Sequence, residues 1–153
     1  MSDTNESVQE KLAEPVLIAG VRMRGKYSEC GAGFKKIGRQ FGRHICGKPM
    51  MLCYDSEYRE NDADYEVCMP IRKGESTDDV QVRELSGGKC LSLLHHGPYS
   101  ELKNSYAVMC QFVQDNQIAV QSPTREVYLK GPGMIFKGNP NKYVTEIQFP
   151  IAD

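Results

Sequence analysis

The chain has no tryptophan, a net charge of only −1 and no long apolar run. Each shortage excludes something. With 19 Lys and Arg against 20 Asp and Glu, there is no basic footprint for nucleic acid and no like-charged tail that binds by charge alone. Stretches such as Pro15-Val16-Leu17-Ile18-Ala19 are far shorter than a membrane span. The first residues, Met1-Ser2-Asp3-Thr4-Asn5-Glu6-Ser7, are polar and lack the apolar core of a signal peptide. The expectation is a cytoplasmic protein that contacts neither membrane nor nucleic acid directly. Cysteines at 30, 46, 53, 68, 90 and 110 include no Cys-x-x-Cys pair, so they read as reduced, mostly buried small hydrophobes and not as zinc ligands. There is no Gly-x-Ser-x-Gly and no phosphate loop. His95 and His96 are adjacent in a strand, point to opposite faces and cannot chelate one metal together. No metal or cofactor is expected.

What is present is a repeat. Gly25-Lys26-Tyr27-Ser28-Glu29 returns as Gly97-Pro98-Tyr99-Ser100-Glu101, an offset of 72, and Phe34 falls opposite Tyr106 at the same offset. Tyr54, five residues after Pro49, is matched by Tyr128, five after Pro123, an offset of 74. Glu66-Val67-Cys68-Met69-Pro70-Ile71 returns as Glu146-Ile147-Gln148-Phe149-Pro150-Ile151, an offset of 80. The drift reads as loop insertions between elements that keep their order. Two copies of one supersecondary unit then bury their faces against each other. The seam between them is a natural ligand site. Superposing residues 16–72 on 88–152 should place Glu66 opposite Glu146.

Residues 1–14 read as a flexible leader, and 15–153 as one domain of two half-modules, about 15–73 and 80–153. Within the first, residues 16–24 suit a strand. Cys30, Phe34, Ile37, Phe41 and Ile45 then recur at helical spacing. Gly31, Gly33, Gly38 and Gly42 weaken that helix, which suggests close backbone packing or a helix that can yield. Residues 50–54 and 64–72 read as strands, and 73–79 as the linker between halves. In the second, 80–85 and 89–95 read as strands. Leu102, Tyr106, Met109 and Val113 mark a helix, and 124–130 and 143–151 close the unit. The fold class is α+β. Two pseudo-symmetric strand–helix–strand–strand modules form an antiparallel sheet, with two helices on one face and a central ligand groove.

In the last strand Tyr143, Thr145, Ile147, Phe149 and Ile151 share the face that belongs on the helices, by the period of two. Glu146 then points the other way, and Glu66 does so in the first half. Glu126 shares a face with Tyr128 and Lys130, opposite Arg125, Val127 and Leu129. The expectation is that Glu66, Glu126 and Glu146, with Tyr54 and Tyr128, project from the side of the sheet without helices. Carboxylates supply countercharge and ring faces supply cation–π attraction, so this set suits an aromatic or cationic ligand.

His96-Gly97-Pro98-Tyr99-Ser100-Glu101-Leu102, Arg125-Glu126-Val127-Tyr128 and Thr145-Glu146-Ile147-Gln148-Phe149-Pro150-Ile151 resemble motifs of the GyrI-like small-molecule-binding family. This is the effector-binding domain of bacterial multidrug-sensing transcription regulators. Tyr54-Asp55 and Asp64-Tyr65-Glu66-Val67-Cys68-Met69-Pro70 resemble its first-half signature, so the likeness runs over residues 15–151. It implies a central groove for lipophilic, often cationic, aromatic molecules, with an acidic residue as main polar determinant. By motif that residue is Glu146, with Glu126 as neighbour and Glu66 as first-half counterpart. Fewer than twenty residues precede the first strand, so a stand-alone member without a helix-turn-helix is expected. Many relatives line the groove with tryptophan; here Tyr54, Tyr128, Tyr99 or Phe136 would serve. The resemblance also implies two alternatives. One is a hydrolase of reactive cyclopropane-bearing compounds, in which Glu146 activates water and Tyr128 positions or donates a proton. The other is a protein partner, since the family's namesake modulates DNA gyrase.

Overall fold

A computed structural model describes residues 7–132 and 138–152. Strands β1 (Gln9–Ala13) and β2 (Val16–Gly25) lead into helix α1 (Cys30–Phe41), followed by β3 (Met50–Cys53) and β4 (Ala63–Pro70). The pattern then recurs as β5 (Gln81–Leu85), β6 (Gly88–His96), α2 (Leu102–Asp115), β7 (Thr124–Lys130) and β8 (Val144–Pro150). All eight strands pair antiparallel in one sheet, in the order β1-β6-β8-β7-β3-β4-β2-β5. The seam between the halves is the β3–β7 ladder, with Met51 directly opposite Glu126. The α+β class and the two-module architecture are as the repeat predicts.

The first half carries one strand more than expected, β1, and the leading strand of each half is exchanged. β5 pairs with β2 of the first half, and β1 pairs with β6 of the second. Their first residues, Gln9 and Gln81, stand at the same offset of 72 as the two glycine–tyrosine motifs. Gln9–Ala13 is therefore a strand and not part of a leader. It is short, polar and at a sheet edge, where backbone pairing supplies the order that apolar periodicity does not. Of the expected leader, residues 1–6 lie outside the described residues.

The exchange also reports the shape of the sheet. β5 and β6 stand six strand positions apart, about 29 Å in a flat sheet. Yet only Ser86 and Gly87 join them, a reach of roughly 11 Å. The sheet must curl until its ends approach. Ile18, Leu52 and Cys68 are accordingly 0% exposed on the face that no helix covers, with Met50 and Leu85 beside them. That face is the packed interior of the curl, not a wet surface.

The helices cover the other face. Ile37 and Phe41 of α1 pack on Val21, Met51, Tyr65 and Val67, and Met109 of α2 packs on Leu91, Leu93, Ile147 and Phe149. Gly25 (φ 143°) and Gly97 (φ 122°) end β2 and β6 in backbone conformations that side chains resist, which explains the glycine at the head of both motifs. Tyr27–Glu29 and Tyr99–Glu101 are the 3-10 turns that follow and lead into the helices. Of the four α1-region glycines only Gly33 is closely packed: a Cβ there would lie 2.5 Å from Val67 Cγ2. Gly31, Gly38 and Gly42 face open space. Among the described residues no helix is long and apolar enough to cross a membrane.

Candidate functional site

The five residues singled out in the sequence do not share a face. Directly opposed residues of antiparallel strands point the same way, and the ladders set Leu52 opposite Glu66 but Val127 opposite Glu146. With Glu66 matching Glu146, Leu52 matches Val127, an offset of 75. The Tyr54–Tyr128 match at 74 is one residue out, and a slip of one residue reverses every side chain. Glu66, Glu146 and Tyr54 lie inside the curl. Glu126 and Tyr128 lie under the helices, so Glu146 and Tyr128 cannot act together on one ligand.

Inside the curl both carboxylates are already paired with cations. Arg83 Nη2 lies 2.6 Å from Glu66 Oε1, and Lys11 Nζ lies 2.6 Å from Glu146 Oε2. Lys11 and Arg83 are themselves related by the offset of 72 and lie on the exchanged strands. These are the same ion pair made twice, each spanning one intervening strand. In the second half Ser92 of that strand donates to Glu146 at 2.6 Å. In the first half the matching residue is Gly20, where a Cβ would lie 2.2 Å from Glu66 Oε2. Tyr54 donates to Glu66 at 2.7 Å, and its ring face is covered by the Arg22 guanidinium at 3.7 Å. Burial alone would raise the Glu146 carboxyl, but hydrogen bonds from Lys11, Ser92 and Gln148 outweigh it and hold the group below its ordinary value. This acidic set braces the sheet.

The helix side differs. Glu126 is half-buried on the seam and accepts hydrogen bonds from two phenols, Tyr128 Oη at 2.7 Å and Tyr106 Oη. Tyr106 belongs to the apolar stripe of α2, with its ring 6.2 Å from Phe149 and its hydroxyl reaching the seam. Tyr99 stands edge-on to Tyr128 at 5.7 Å and against Tyr143 at 5.1 Å. Tyr27, its counterpart at the start of α1, packs on Tyr65 at 5.1 Å. Burial first, then the Glu126 charge, push Tyr106 and Tyr128 well above the usual phenol range. Burial, with Tyr143 and Glu126 nearby, pushes Tyr99 up to about 12, and burial, Cys53, Asp55 and Glu126 raise Tyr27 as well. All four rings keep their protons at neutral pH, and two donate to the carboxylate. Cys30 and Cys53 lie in the same field. Burial raises both thiols, Cys53 to about 12, so neither is an activated nucleophile.

Among the described residues no cation pairs with Glu126, whereas Glu66 and Glu146 each hold one. Tyr106 and Tyr27 escaped the sequence reading. Tyr106 was visible as the repeat partner of Phe34, but its helical spacing marks it as core, and only the seam shows that its hydroxyl has a partner. Phe136 lies outside the described residues. The cysteines are less buried than expected: Cys68 and Cys90 are enclosed, Cys30 and Cys53 partly so, while Cys46 and Cys110 are exposed. No three His, Cys, Asp or Glu side chains among the described residues are grouped to hold a metal.

A family model described as a GyrI-like small molecule binding domain matches residues 6–152. No curated protein matches the chain. Among solved structures, the C-terminal domain of EcmrR superposes with a TM-score of 0.84 at 24% identity, covering 97% of this chain and 98% of that one. In the EcmrR–DNA complex the TM-score is 0.86 at 23% identity, but this chain, 97% covered, spans only 58% of the EcmrR chain. A hydrolase encoded by lin2189 from Listeria innocua superposes at 0.69 with 15% identity, over 95% and 91% of the two chains. SAV2435, solved bound to tetraphenylphosphonium, superposes at 0.62 with 14% identity, over 95% and 94%. At these identities the likenesses establish the fold.

Proposed function

The chain belongs to the GyrI-like small-molecule-binding family, and on that premise we propose that it captures a lipophilic aromatic cation on the seam between α1 and α2. Glu126 is the countercharge, and Tyr27, Tyr99, Tyr106 and Tyr128 supply the ring faces. One observation carries the assignment. Of the three acidic residues singled out, Glu126 alone has hydrogen-bond donors but no cation among the described residues. A half-buried carboxylate ringed by phenols is costly to leave without a countercharge, and a bound cation supplies one while gaining cation–π contact.

The ligand of SAV2435 is the natural first probe. Titration of tetraphenylphosphonium should give saturable binding. Glu126→Gln keeps the shape and removes the charge, and should weaken binding about 30-fold or more, the loss typical of a truncated buried charge pair. Glu146→Gln, on the opposite face, should stay within about threefold. Equal affinities for wild type and Glu126→Gln, or a loss confined to Glu146→Gln, would refute the assignment.

A second reading, hydrolysis at the same place, draws support from the paired phenols on Glu126. A carboxylate that activates water, beside hydroxyls that remain protonated, is a general base with its acid. Glu126 with Tyr106 or Tyr128 takes the role first given to Glu146. Product formation from an electrophilic cyclopropane, abolished by Glu126→Gln, would favour this reading; saturable binding without product would exclude it for that substrate.

A further inference from the structure

Tyr27 has a ring neighbour that the seam does not use. Its ring meets Tyr58 of the β3–β4 loop at 6.0 Å, and the two tyrosines line a cleft of about 270 Å³ with Lys26, Ser28, Glu60 and Asn61. Tyr58 is 76% exposed. Hydrogen bonds tie the loop that carries it and the wall opposite. The Asp55 carboxylate accepts from the Asp64 amide at 2.7 Å, and Arg59 forks onto Asp62 at 3.1 and 3.0 Å. On the other wall the Lys26 carbonyl accepts from Tyr65 Oη at 2.7 Å. Arg59 offsets Asp62, and of the two charged residues that line the cleft Lys26 offsets Glu60. Tyr27 thus lies within the field of Glu126 and also meets the Tyr58 ring in a tilted contact.

We propose that this cleft is an outer compartment of the site, one that takes the second aromatic, preferably cationic, end of an elongated ligand whose first end lies at Glu126. The proposal rests on the seam reading above and specifies the ligand further: two aromatic ends joined by a linker that passes Tyr27. The exposed face of Tyr58 then becomes a stacking surface, and its worth is that of a partly desolvated cation–π contact, about 3- to 30-fold in affinity.

The test compares a bis-quinolinium dication, joined by a flexible alkyl chain, with the half-molecule that keeps the chain and loses the second ring. Wild type should bind the dication more tightly by clearly more than the twofold that two identical ends give by statistics. Tyr58→Ala should remove that advantage and leave the half-molecule unchanged within about twofold; because Tyr58 is exposed, folding should be unaffected. Equal binding of the two probes by wild type, or a Tyr58→Ala loss that is the same for both, would overturn the outer compartment. Glu126→Gln separates the two claims: it should weaken both probes alike. If it weakens neither while Tyr58→Ala still discriminates, the seam reading falls and the cleft stands as a separate site.

Discussion

Glu126 and Glu146 are chemically the same residue, one register step apart on paired strands, yet they face opposite sides of the sheet. Their difference lies in what meets them: Lys11 and Ser92 for Glu146, Tyr106 and Tyr128 for Glu126. The Glu146 role is testable by acid. Its folded-state pKa is depressed, so the ionised, paired form contributes stability that is complete above the unfolded carboxylate value of about 4.3. That contribution is lost as pH falls through the folded value. Glu146→Gln should therefore cost about 2 kcal/mol at pH 7, the scale of hydrogen bonds to a charged group. The gap to wild type in urea melts should shrink below about pH 4. A pH-independent gap would mean that shape, not charge, is what the site loses.

Among the elements, α1 is the least regular in composition, and its glycines divide into two kinds. Gly33 sits where α1 approaches β4, and a methyl there would press on Val67 Cγ2 and, at 2.9 Å, on Met23 Sδ. Gly33→Ala should destabilise by about 1–3 kcal/mol through overpacking. Gly38 lies within the helix and faces open space. Gly38→Ala should stabilise by up to about 1 kcal/mol, since only helix propensity changes. Thermal melts of the two variants should move in opposite directions. If Gly38→Ala also lowers the midpoint, α1 needs that glycine for something other than the folded packing seen here. The spacing of Ile37 and Phe41 made the buried stripe of α1 legible; which glycine touched the sheet was not, because that depends on how closely the helix approaches β4.

At the scale of the whole molecule the exchanged strands tie the halves together. β1 belongs in sequence to the first half and in space to the second, where it delivers Lys11 to Glu146. A chain beginning at Glu14 should lose this ladder and leave a buried carboxylate without its cation, a change expected to cost about 2 kcal/mol or more. Unfolding should remain one cooperative transition with a lower urea midpoint. An unchanged midpoint would mean that β1 lies on the sheet without contributing to it.

Sequence by itself determined what is local or repeated. The order of the elements after β1, the stripes of both helices, the glycine–tyrosine turns at offset 72 and the helix-facing side of β8 all follow from periodicities of two and of three to four. The resemblance carried by the same motifs led to the family. Tertiary structure decided the rest. In β7 both faces mix polar and apolar residues, Glu126 with Tyr128 and Arg125 with Val127. Alternation there separates two faces without saying which looks at the helices. Register with β8 and β3 makes that choice, and the repeat match at Tyr54 and Tyr128 missed it by one residue. β1 was invisible for a related reason: its order comes from hydrogen bonds to β6, not from an apolar pattern of its own. The candidate site moved from Glu146 to Glu126 because a carboxylate's partners are set by the strands and helices that fold against it.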